Sequence, residues 1–155
     1  MTPVKQSVLH TSNLPHQRGN CLSAVIASFL DLPIESTIQP QLLFDESSWL
    51  ETTQHWLNSR SYLYRSANEF SCFHGKKFFF SNYHFPPTFP HDHTTYYKNL
   101  KRSLKNQHYL ISGTSPRNPS ITHICIFLNG ELFHDPHPSN SGILSLDHFS
   151  IIEKK

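Results

Sequence analysis

The run Cys21 to Leu32, CLSAVIASFLDL, constrains this chain more than any other stretch. Leu22, Val25, Ile26, Phe29 and Leu30 recur at helical spacing, and the helix they define is apolar on most of its sides. A helix of that kind is normally buried in the middle of a domain. Asn20 stands at the N-cap position and Pro33 closes the run.

The rest of the chain supplies the cover. A second helix is expected from about Ser47 to Ser59, with Trp49, Leu50, Thr53, Trp56 and Leu57 as one apolar stripe and both tryptophans used in packing. Residues 62–80 are strand-like. The prolines of HFPPTFPHDH make 84–93 a loop, and a short amphipathic helix is expected over 94–104. HYLISG (108–113), THICIFL (122–128) and ELFHD (131–135) read as strands, with GTSPRNPS and PHPSNSG as loops and ILSLDHFSII as a final strand. Asn129-Gly130 is a hairpin signal. Helix first and mostly antiparallel strands afterwards define an α+β chain, with the buried N-terminal helix packed on an antiparallel sheet.

At 155 residues the chain fits one domain spanning 1–155, which buries roughly two-thirds of its unfolded surface. The net charge of +2 is too balanced to point to nucleic acid or an anionic membrane. Lys98, Lys101, Arg102 and Lys105 form the densest basic patch, and a solvated helix face accounts for it. The first thirteen residues lack the order of a signal peptide, and no stretch approaches the length of a membrane span. Cys21, Cys72 and Cys125 are too few, and odd in number, for a disulfide framework, which favours a reducing, cytoplasmic compartment. Export by a route that needs no signal peptide stays open.

The chemistry begins with Cys21, the first residue of the buried helix. A thiol there lies beside unpaired backbone N–H groups, whose partial positive charge favours the thiolate. The N–H of Cys21 also points where an oxyanion would form, and Gln17, four residues upstream, is the candidate for a second donor. A lone cysteine on an apolar helix is usually a small buried hydrophobe. The far end of the chain changes that balance. His123 opens an apolar strand, and Asp135 follows across the hairpin, stiffened by Pro136 and Pro138. A base on one strand and its acceptor on the next is what a cysteine–histidine pair requires.

Strand parity tests the pairing. A two-residue turn at Asn129-Gly130 pairs Leu128 with Glu131 and Ile124 with Asp135, which puts His123 and Asp135 on opposite faces. A three-residue loop with Gly130 left-handed pairs Phe127 with Glu131 and His123 with Asp135. The triad therefore predicts the bulged turn.

GNCLSAVIASFL followed by HICIFLNGELFHDPHPS resembles the papain-like cysteine peptidase superfamily, above all the compact peptidase domains that remove double-glycine leaders from bacteriocins. It is also similar to small bacterial and phage proteins with a GNC and HDPHPS pattern. GNCL alone is similar to ovarian-tumour-type deubiquitinases, although Arg18 stands where those have Asp. The resemblance implies a papain-like fold and a thiol peptidase or amidase acting on a protein or peptide, without cofactor. Its triad would be Cys21, His123 and Asp135. Gln17 would be the oxyanion donor, at four residues before the cysteine rather than the usual five or six, with Asn20 as substitute.

Other readings remain beside it. The same acyl-enzyme can deamidate glutamine, transfer an acyl group or cleave a ubiquitin-like substrate, and a papain-like fold can serve as a binding module without a reactive thiol. No metal is expected, since neither CxxC nor HExxH occurs; if one bound, Cys21, His123 and Asp135 would be its ligands. Cys72 and Cys125 read as packing residues, and His134 and His137 as solvent-facing.

Overall fold

The computed structural model describes residues 1–11, 18–40, 49–68, 105–145 and 147–155. Gln17, Cys72 and the segments expected as a strand-like run to residue 80, a loop over 84–93 and a helix over 94–104 lie outside them. Helix α1 spans Cys21–Leu30, and its residues from Cys21 to Ser28 are all buried. It stops short of Leu32 because Asp31 turns left-handed at φ 53°; the N–H groups of Asp31 and Leu32 both reach the Ala27 carbonyl. Asn20 occupies the N-cap as expected, but its side chain makes no capping bond to the helix.

Helix α2 spans Trp49–Asn58 and buries less than the expected stripe. Thr53 and Leu57 are fully covered, Leu50 is exposed, and Trp56 is half-buried beneath the Arg60 guanidinium, 3.7 Å from its ring centroid.

Five strands follow: β1 (Tyr62–Asn68), β2 (His108–Ser115), β3 (Asn118–Leu128), β4 (Glu131–His134) and β5 (His148–Lys154). They form one sheet in the order β1-β5-β2-β3-β4, with antiparallel pairs throughout β5-β2-β3-β4. Helices and antiparallel sheet make the fold α+β. Residues 1–65, 135–140 and 152–155 form one compact unit, and 66–134 with 141–151 a second.

In the first unit, Ala24, Ala27 and Ile34 make a small core that Val4 joins. The Ser28 hydroxyl donates to the Ala24 carbonyl and accepts the Val4 N–H, at 2.8 and 2.9 Å, so the N-terminal segment is tied to α1. In the second unit, Tyr109 lies between Phe127 and Phe149, with ring centroids 6.2 and 5.3 Å away. The expected loop 113–120 is mostly strand, since Ser115 still faces Asn118. The ladder slips between Thr114 and Ser115, beside Pro119, which has no N–H to donate. Leu144 and Asp147 lie along β2 before β5 begins: Leu144 N–H reaches Thr114 O at 2.8 Å, and Asp147 N–H reaches Ser112 O at 2.9 Å. Between them Ser145 crosses Gly113 so closely that a Cβ there would lie 1.8 Å from the Ser145 carbonyl oxygen.

Candidate active site

The β3–β4 hairpin positions the candidate base and its acceptor. Its turn is the plain two-residue kind, not the expected three-residue bulge. Leu128 faces Glu131, and Asn129 and Gly130 both take positive φ, 53° and 92°. Those are the angles of a type I′ turn, whose twist matches that of the strands. The Tyr109 hydroxyl accepts the buried Gly130 N–H at 2.8 Å and so holds the turn from beneath.

A regular ladder from that turn would put His123 and Asp135 on opposite faces. It is not regular. Phe127 faces Leu132, but the next residue, Ile126, faces His134, so Phe133 is one extra residue on β4. Continuing the shifted register brings Asp135 opposite Cys125, two residues from His123 and on the same face. The expected direct pairing of His123 with Asp135 is thereby corrected. The bulge lies in the strand rather than in the turn, and it restores the shared face.

The side chains agree with that register. One ligand-type atom from each of His123, Cys125 and Asp135 lies within 4.8 Å of the other two, and all three residues are buried. Their exposures are 4%, 0% and 3%, so little solvent screens them from one another. Cys125, read as a packing residue, is thus part of the polar cluster. One Asp135 carboxylate oxygen accepts the His137 N–H at 2.8 Å, which fixes the orientation of the carboxylate. His134 is buried rather than solvent-facing, and His137 is half-buried, with its ring Nδ1 accepting the Ser139 N–H.

The 5–8 segment, which gave no sequence signal, holds both the aspartate turn and the start of α1. Lys5 Nζ donates to the carbonyl oxygens of Asp135 and His137, at 2.6 and 3.2 Å, and to Asn140 Oδ1. Gln6 N–H donates to the Pro136 carbonyl at 2.9 Å. Two residues on, the Val8 carbonyl accepts the Asn20 N–H at 3.1 Å while Val8 N–H donates to Asn20 Oδ1 at 3.0 Å. The Asn20 Nδ2 hydrogens go to Ser7 Oγ and Gln39 Oε1, at 3.0 and 3.1 Å. The residue before Cys21 and the residue after Asp135 are therefore anchored to the same short stretch. Asn20 holds no hydrogen in reserve for an oxyanion.

Cys21 itself is 6% exposed at the first position of α1. Among the described residues no helix is long and apolar enough to cross a membrane. Fold and site together define an α+β protein with a buried histidine–cysteine–aspartate cluster on a sheet hairpin. No protein-family model, curated protein or solved structure matches the chain.

Proposed function

We propose that the chain is a cysteine hydrolase of the peptidase or amidase type with a papain-like fold, using Cys21 as nucleophile, His123 as base and Asp135 to orient it. The observation that carries the reading is the burial of His123 and Asp135 on one face of the hairpin with polar atoms within 4.8 Å. An imidazole and a carboxylate withdrawn from water are costly unless they serve each other. Further support comes from Cys21 at the start of a buried helix, and from the 5–8 segment that anchors both Asn20 and Pro136.

In the proposed reaction the Cys21 thiolate attacks the carbonyl carbon of a peptide or carboxamide. The N–H of Cys21 donates to the oxyanion, with Gln17 as the second donor. The intermediate collapses, the C–N bond breaks, and the His123 imidazolium gives its proton to the departing amine. Water then attacks the thioester, His123 takes its proton, and the Cys21 sulfur leaves. The partner is a protein or peptide, with no cofactor, nucleic acid or membrane involved, in the cytoplasm or after export.

The test is the pH dependence of iodoacetamide alkylation, mapped by mass spectrometry to Cys21, Cys72 and Cys125. Cys21 is expected to react at about pH 6, well below an ordinary thiol pKa of about 8.5, and to lose that reactivity in His123→Ala. Cys125, with no exposed surface, is expected to stay inert in the folded protein. On any substrate found, Cys21→Ala abolishes turnover with the fold intact, and Asp135→Asn weakens turnover without erasing it. Ordinary alkylation of Cys21, unchanged by His123→Ala, removes the hydrolase reading.

A further inference from the structure

We propose that His123, Cys125 and Asp135 form a binding site for a thiophilic divalent cation, with Zn²⁺ as its natural class of occupant. The donor set is an imidazole nitrogen, a thiolate sulfur and a carboxylate oxygen, the three ligand types zinc takes. Their atoms already lie within 4.8 Å of one another. A tetrahedral zinc ion with bonds of about 2.0–2.3 Å holds its ligands about 3.3–3.6 Å apart, so side-chain movements of at most about 1.5 Å close the site.

The charge arithmetic favours it. A thiolate and a carboxylate buried together repel each other, whereas Zn²⁺ with those two anions and a neutral imidazole sums to zero. Binding sends the Cys125 thiol proton to solvent and forms one bond each to sulfur, nitrogen and oxygen. The Asp135 carboxylate already accepts the His137 N–H at 2.8 Å, the outer-shell support that metal ligands commonly have. All of this follows from the extra residue at Phe133. In a regular ladder Asp135 would face the other side and the cluster would hold only His123 and Cys125.

A consequence rests on the hydrolase reading: a metal bound to His123 takes the lone pair the base needs. Zinc occupancy and thiol activation then exclude each other, and the metal is an inhibitor released by chelation.

The experiment titrates Co²⁺ into the full reduced chain after chelator treatment and records the absorption spectrum, then displaces the cobalt with Zn²⁺. A sulfur-to-cobalt charge-transfer band is expected at one equivalent. It persists in Cys21→Ser and disappears in Cys125→Ser, with affinity falling more than about 100-fold, since even outer-shell changes cost 10–100-fold. Should Cys125→Ser unfold, Asp135→Asn serves instead and is expected to shift the band and weaken binding. No band in the wild type overturns the site, as does a band that depends on Cys21 or Cys72 instead. Alkylation of Cys21 in the chelated protein separates the two proposals. Histidine-dependent reactivity without a cobalt band removes the metal site alone. A cobalt band on Cys125 with ordinary Cys21 reactivity sustains the metal site and removes the hydrolase.

Discussion

His108 stands at the start of β2, partly buried, with its ring edge-on to Phe133 at 4.6 Å between centroids. Burial pushes its imidazole below the ordinary value of 6.5. The unfolded chain therefore takes up a proton near pH 6.5 that the folded chain does not. Stability is complete above that value and declines as the pH falls through it towards the lowered folded pKa. Thermal melts from about pH 8 to about pH 5 are expected to show this decline, and His108→Gln to flatten it. A variant with the wild-type slope would assign the dependence to another group. His108 also shows what single residues concealed: its strand was legible, while its environment depends on Phe133, a residue in register with nothing on β3.

At the scale of the element, the β3–β4 hairpin was legible in outline and misread in detail. Asn129-Gly130 announced a turn correctly. A shared face for His123 and Asp135 requires one extra residue between them, and one anywhere in that stretch satisfies the condition. Sequence parity counts residues and cannot say where the extra one sits; the type I′ turn settles locally and leaves the irregularity to Phe133. This makes a prediction. Deleting Phe133 gives an uninterrupted ladder in which Ile126 still faces His134, so the cluster survives and the low-pH reactivity proposed for Cys21 is expected to persist. Deleting Leu132 as well leaves an uninterrupted ladder that puts Asp135 opposite Ile126, on the other face, and is expected to abolish that reactivity. The reverse pattern would show that register does not govern the site. The helices and the N-cap position of Asn20 were legible because their signals are local, but the use of the Asn20 side chain was not. Its carboxamide is claimed by Ser7, Val8 and Gln39, none of which is signalled by the sequence around Asn20.

Across the whole molecule, contacts between distant parts of the sequence hold the segment that follows Asp135 and the end of the chain. Lys5 fastens 135–140, and the Lys155 N–H reaches the Ser61 carbonyl at 2.8 Å. No periodicity announces such contacts, which is why a polar and irregular opening segment gave no hint of a role. Lys5→Met removes a charged donor from three oxygens and is expected to cost about 1–2 kcal/mol, read from the denaturant midpoint. It is also expected to raise amide hydrogen exchange across 135–140; unchanged exchange there would deny Lys5 its anchoring part. The crossing of Ser145 over Gly113 carries a different lesson, one about descent. With a Cβ only 1.8 Å from a carbonyl oxygen, no alanine fits at 113 unless the strap moves away. Surface residues can drift past recognition, and catalytic ones can be lost when an activity is abandoned. The strap cannot keep its path without a glycine beneath it, so distant kin of this chain are to be sought by that glycine, placed on the strand that faces the histidine.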